Sequence, residues 1–274
     1  MRAIKALAVF LACLLFCTPS YAGLTLNWHT TASGTTFSWG SGTSMSVGTE
    51  HAASSCGTFS NNDVGTIEVS NWTNGGGTPS SYVAPAGWTK LFEDFDTNAG
   101  DTGGAFFYKK LSGSESCPLT VSWTNSSAGG GQAWQIQEWT CTGSNPSSVV
   151  DNSAHAGDFI AAGAETAPSI ASLTNSTDQL MLIYFDQGKG QPYVQPTGAT
   201  AIDNTIGTNP GNQGVTQLLT SYKTLSSNAA TGAITASQSS TFVRYVGAQV
   251  ALNVCTGGSS SSYGGLMLGT GVGH

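Results

Sequence analysis

Beyond residue 22, no stretch of this chain keeps apolar residues at a helical spacing. Short runs of alternating apolar and polar residues recur instead, each closed by glycine, asparagine, serine or threonine. Such a pattern makes strands and turns the main elements. Leu24-Thr25-Leu26-Asn27-Trp28 and Thr36-Phe37-Ser38-Trp39 alternate as half-buried strands do, and Ser44-Met45-Ser46-Val47 is a weaker third. Val64 to Trp72 places Ile67 and Val69 on one face. Gly104 to Tyr108 and Leu180 to Phe185 are apolar on both faces, as strands covered on both sides are. Leu219 to Lys223, Gly232 to Ala236 and Thr241 to Leu252 follow, the last with Phe242, Val246, Ala248, Val250 and Leu252 on one face. Asp151 to Ala167 and Gln195 to Asn212 read as loops. Seven Trp and 39% apolar residues suffice to bury a core, although charged residues are only 8%.

Met1-Arg2-Ala3-Ile4-Lys5 precedes an apolar run from Ala6 to Phe16. Ser20-Tyr21-Ala22 then puts small residues at both positions a signal peptidase reads. Residues 1–22 therefore read as an export signal, and their apolar run is too short to span a bilayer. Residues 23–255 are the expected domain, and 256–274 a flexible Gly/Ser-rich tail. Cleavage after Ala22 removes Cys13 and Cys17 and leaves Cys56, Cys117, Cys141 and Cys255. Four cysteines in an exported chain make two disulfides. Leu119 to Thr124 and Ala133 to Gln137 flank a glycine-rich loop, with Cys117 and Cys141 symmetric about Gly129. A Cys117–Cys141 bridge is sterically easy there and would leave Cys56 for Cys255. The same symmetry places Val121 opposite Gln137, so either a bulge shifts the register or the two strands lie in different sheets. The charge left after cleavage is 6 basic (8 − 2) against 15 acidic residues, or −9, which argues against nucleic acid as a partner.

Three segments in order carry a family resemblance. They are Ala84-Pro85-Ala86-Gly87-Trp88-Thr89-Lys90-Leu91, then Phe106-Phe107-Tyr108-Lys109-Lys110 with the strands to Trp139, then Ala229 to Ala236 with the strand ending Val250-Ala251-Leu252. Over Val64 to Asn253 the chain resembles the β-sandwich modules of phage tail and fibre-associated proteins and of secreted bacterial proteins. That resemblance implies a structural or adhesive role, with no shared catalytic residues, and places Trp88 and Trp123 in the core. The expected fold is all-β, a two-sheet antiparallel sandwich of jelly-roll type.

The candidate sites are few. Trp28, Trp39, Trp72 and Trp139 lie near expected strand ends, where exposed rings would stack on sugars. In the acidic stretch Glu93 to Asp101, the oxygens of Asp94, Asp96, Asn98 and Asp101 recur as in a calcium loop, although the glycine is one place late and no closing Glu follows. A pair of carboxylates such as Glu68 and Glu138 could serve a glycosidase, with plain surface charge as the alternative reading. Neither Gly-x-Ser-x-Gly nor His-Glu-x-x-His occurs. Arg244 is the one Arg left after cleavage and is expected to pair with a carboxylate at the rim. The function expected is a secreted, non-catalytic module for binding, adhesion or assembly, with a glycan or a surface protein as partner. A virion tail or fibre component and a glycan-active hydrolase or lyase are the alternatives.

Overall fold

The computed structural model describes residues 24–31, 44–48, 56–73, 77–97, 101–124, 131–141, 147–160, 164–188, 193–206, 215–238, 243–253 and 255. The expected signal segment, the expected C-terminal tail and the Thr36 to Trp39 run lie outside them. Every strand pairing is antiparallel, and no helix occurs among the described residues. The first strands are β1 (Leu24–Thr31), β2 (Ser44–Val47), β3 (Asn61–Trp72), β4 (Ser80–Val83), β5 (Thr89–Phe95), β6 (Thr102–Ser112), β7 (Leu119–Thr124) and β8 (Gly131–Cys141). Then come β9 (Val150–Ile160), β10 (Ala164–Ala167), β11 (Gln179–Gly188), β12 (Tyr193–Val194), β13 (Thr200–Ile206), β14 (Val215–Thr224), β15 (Ile234–Gln238) and β16 (Val243–Leu252).

The order of these strands reveals a duplication. One five-stranded sheet runs β1-β8-β3-β6-β5, and the other, β9-β16-β11-β14-β13, has the same order with eight added to each number. The three-stranded sheets β2-β7-β4 and β10-β15-β12 correspond in the same way. Each set of eight strands in two sheets is a jelly-roll repeat. The all-β sandwich is therefore as expected, but it has four layers rather than two.

The sequence carries the repeat too. Tyr82-Val83-x-Pro85-x-Gly87-x-Thr89 returns as Tyr193-Val194-x-Pro196-x-Gly198-x-Thr200. In both turns a backbone N–H closes onto the proline carbonyl, from Trp88 at 3.0 Å and Ala199 at 3.1 Å. Both glycines take a positive φ, 78° and 77°, which a side chain would resist. Tyr108-Lys109-x-Leu111-Ser112 likewise returns as Tyr222-Lys223-x-Leu225-Ser226, and the register matches, with Thr89 opposite Tyr108 and Thr200 opposite Tyr222.

The two five-stranded sheets face each other. Strand β3 lies on β11, β8 on β14 as β16 on β6, and β5 on β9 as β13 on β1. Exchanging the repeats maps this set onto itself, so the chain is a fused pseudo-twofold dimer. The second repeat offers Met181, Ile183, Phe185, Val246 and Ala248 to the shared layer. The first repeat's face is more polar, with Thr66, Glu68, Ser70, Gln135 and Gln137 buried among Phe106, Trp139 and Phe92. Gln135 bridges the sheets, its Nε2 donating to Thr205 Oγ1 at 2.9 Å and to the Leu218 carbonyl at 2.8 Å. A His–Asp pair closes each edge: His29 to Asp203 at 3.5 Å, and His155 to Asp94 at 2.9 Å.

The strands also define two ends. Connections 32–43, 73–79, 96–101, 125–130, 161–163, 189–192, 207–214 and 239–242 all link strand ends at one pole. Both disulfides lie at the other. Cys56 joins Cys117, and Cys141 joins Cys255. This corrects the expected Cys117–Cys141 and Cys56–Cys255 pairing. Strands β7 and β8 are not a hairpin: β7 belongs to the outer three-stranded sheet and β8 to the inner five-stranded one. That separation also explains the register conflict between Val121 and Gln137. Cys141 and Cys255 close the last strand of each repeat, so their bond ties the repeats together. Replacing both with serine is expected to cost about 2–4 kcal/mol, since the bond closes a long loop. Urea unfolding of the oxidised double variant checks it.

Two loop expectations also give way. Asp151 to Ala167 contains β9 and β10, whose many Ala, Ser and Gly residues suit strands packed against other backbones. Gln195 to Asn212 contains β13, an edge strand with a bulge at Ala201/Asp203.

Candidate functional site

Four strand ends of the second repeat converge on a buried acidic cluster. Glu165 is second in β10, Asp186 third from the end of β11, Tyr193 opens β12 and Gln238 closes β15. Tyr193 Oη donates to Glu165 Oε2 at 2.6 Å. The one nitrogen of Gln238, Nε2, donates to Glu165 Oε1 and to Asp186 Oδ2, each at 2.6 Å. Both carboxylates are fully buried. Loss of water pushes the Asp186 carboxyl far above its ordinary value. It raises the Glu165 carboxyl too, reinforced by the Asp186 charge and only partly offset by the bonds from Tyr193 and Gln238. Burial and the same two acids raise the Tyr193 phenol. At neutral pH the pair therefore keeps at least one proton. Among the described residues no Lys, Arg or His pairs with either acid.

The first repeat shows what the fold itself requires at this place. Met45 lies opposite Val121 as Glu165 lies opposite Ala236. Asn71 lies opposite Gly103 as Asp186 lies opposite Gln217, and Val83 faces Ser122 as Val194 faces Ser237. The counterparts of Glu165, Asp186, Tyr193 and Gln238 are thus Met45, Asn71, Tyr82 and Trp123. There Tyr82 Oη donates to Asn71 Oδ1 at 3.0 Å, and its ring packs 6.0 Å from Trp123. No acid is present. Two buried carboxylates in the second repeat are therefore a departure that the architecture does not demand.

The residues expected from the sequence fare differently. Trp72 and Trp139 are buried, and Trp139 meets Tyr222 edge-on across the repeats, ring centroids 5.3 Å apart. Neither can stack on a sugar, because the alternation that put them near strand ends also turned them into a layer. Trp28 is half-buried. Its Nε1 donates to Glu138 Oε2 at 2.7 Å and its ring lies 5.2 Å from Phe59, a clamp for the edge strand β1. Trp39 lies outside the described residues. Trp88 and Trp123 are core, as expected.

The acidic stretch is divided between strand and turn. Asp94 belongs to β5, pairs with His155 and has its carboxyl lowered, burial being outweighed by that bond and by backbone donors. Asp96 accepts the Thr102 N–H at 2.9 Å. Asp101 accepts from Arg244, the rim pairing expected for that arginine. Asn98 lies outside the described residues. Among the described residues no three His, Cys, Asp or Glu side chains gather as a metal group. Glu68 and Glu138 sit on one sheet but on opposite faces, since Glu68 is opposite Gln135 and Glu138 opposite Gly65. They cannot flank one bond.

Reading Asp151 to Ala167 as a loop hid Glu165, and Asp186 and Gln238 sit at run ends that resemble turns. The signal that would have found them is the doubled Tyr-Val-x-Pro-x-Gly-x-Thr motif. It aligns the repeats and exposes the acids as the difference between them.

No family model, curated protein or solved structure matches this chain.

Proposed function

We propose that this chain is an extracellular, non-catalytic binding and assembly module, with a glycan or a surface protein as its partner. The observation that carries the reading is polarity. Both disulfides lie at one pole, and the strand ends that lead into eight of the connections lie at the other. A rigid sandwich that holds loops at one end is the usual architecture of a recognition surface. Two disulfides fit an oxidising compartment, and no helix among the described residues is long and apolar enough to cross a membrane.

The test is a glycan array and a cell-surface capture assay with the domain immobilised by a tag after Cys255. Insertion of a short Gly-Ser segment into connection 125–130 is expected to abolish capture. The same insertion between Gly113 and Ser114, at the disulfide pole, is expected to leave it intact. Capture lost equally by both insertions, or no capture by the native chain, would overturn the reading.

A further inference from the structure

We propose that the open edge of β12, beside Val194, takes the chain's own C-terminal segment 264–273 as a fourth strand of the outer sheet β10-β15-β12. The inference concerns a sheet edge and not the loop pole, and it stands independently of the recognition role. Three observations carry it.

First, six edge strands carry a device that closes them, and β12 carries none among the described residues. The edges of the five-stranded sheets, β1, β5, β9 and β13, each have a bulge. In β10 the Thr166 N–H donates to Tyr245 Oη at 3.2 Å, and the Ala167 carbonyl accepts from Gln249 Nε2 at 3.2 Å. In β4 the Ser81 and Tyr82 N–H groups donate to the Glu93 carboxylate at 3.1 and 2.9 Å, and Lys90 Nζ donates to the Tyr82 carbonyl at 2.9 Å. Strand β12 is the counterpart of β4, and the shared register puts Ala201 in place of Lys90 and Asn204 in place of Glu93. Those caps are gone, and Asn204 Oδ1, at the place of the Glu93 cap, is a buried acceptor without a hydrogen-bond partner.

Second, Val194 and its counterpart Val83 are the large apolar side chains left exposed among the described residues, at 64% and 58%. Val83 lies on the capped edge and Val194 on the open one. Strand β2, the remaining edge, exposes no apolar side chain.

Third, the segment fits the edge. Leu266, Leu268, Thr270 and Val272 alternate with Met267 and glycines, and no side chain from Gly264 to Gly273 is charged. That is a strand period with one apolar face, able to cover Val194. The segment follows Cys255 at the disulfide pole, and β12 runs towards that pole from connection 189–192. The added strand would therefore be antiparallel to β12, as β12 is to β15. Two residues of β12 pair too little to hold a free strand. The Gly/Ser tether 256–263 averages roughly 14–17 Å and supplies an effective concentration on the order of mM, which favours the chain's own segment over that of a second copy.

The experiment is amide hydrogen exchange of the refolded mature chain, read by mass spectrometry over 264–273, with a synthetic peptide of that sequence as the unprotected reference. The amides from Leu266 to Val272 are expected to exchange at least about tenfold more slowly in the chain than in the peptide. A201K/N204E rebuilds the caps of β4 on β12 and should return them to the peptide rate, as should V194D. V83D, at the capped edge, should leave the protection intact. Circular dichroism confirms folding of each variant. Exchange at the peptide rate in the native chain would overturn the proposal. So would protection that survives in both A201K/N204E and V194D, or that V83D removes alone. Protection seen only at concentrations where the chain sediments as a dimer would assign the edge to a second copy and overturn the proposal as stated.

Discussion

Replacing Gly157 with alanine is expected to destabilise the chain by about 3–5 kcal/mol, at the severe end for a single methyl. Gly157 lies in β9, at the edge where β9 crosses β5 of the other repeat. A methyl built there would stand 1.6 Å from the Phe95 carbonyl oxygen, 2.4 Å from its carbon and 3.1 Å from Asp96 Cα. These are backbone atoms, so no rotamer change relieves the overlap. Relief requires the two strands to separate, which would also stretch the Asp94–His155 pair and the stack of His155 on Phe92, 4.4 Å between centroids. Gly198→Ala is the control. Gly198 has open space around it and a φ of 77°. It should lose only the conformational cost of about 1–2 kcal/mol. Urea unfolding of both variants separates the effects. Equal losses would mean that the repeats do not approach at Gly157.

Stability is expected to fall as pH rises from about 4.5 to about 8, and Glu68→Gln to remove much of that slope. Burial raises the Glu68 carboxyl from 4.5 to about 8, only partly countered by neighbouring Gln137 and Thr66. Neither Glu68 oxygen makes a hydrogen bond of good geometry, and Thr66 Oγ1 donates to Gln137 Oε1 instead. Between these two pH values the folded chain holds a proton that the unfolded chain releases. The resulting stability is fully present below about 4.5 and is lost as pH rises through about 8, at up to about 1.4 kcal/mol per pH unit. Glu165 and Asp186 are raised for the same reason and add a slope of the same sign. The E68Q chain should match the native one near pH 4.5 and exceed it near pH 8. Denaturant midpoints across that range decide it, and parallel curves would show that Glu68 ionises freely.

Much of the strand inventory was legible. Gly104 to Tyr108 and Leu180 to Phe185 announce inner strands because both of their faces are apolar, and Val64 to Trp72 announces a strand by its alternation, although its Glu68 face is covered too. Arg244 announces its rim partner because a lone cation on an apolar alternation needs one. The layering was not legible. Alternation tells which residues share a face, but not which sheet a strand joins, and the Cys117–Cys141 expectation failed on that point. Gly157 lies against the Phe95 backbone and Gly131 against the Thr216 side chain, in each case of the other repeat, and composition alone makes both glycines look like loop residues. The acid pair was obscured for a different reason. Glu165 and Asp186 read as surface charge until the first repeat supplies Met45 and Asn71 as the reference.

The Cys141–Cys255 bond also governs how tension would travel through the molecule. Leu24 pairs with Cys141 at the disulfide pole, so the two ends of the described domain emerge side by side. A pull applied between them loads first the β1–β8 ladder, the Gln179 bond to the Leu24 carbonyl and one covalent bond. Strand β1 would peel from its end before the opposite pole carries load. Anchored through either end, the domain would keep its far pole pointing away from the attachment and undistorted under strain.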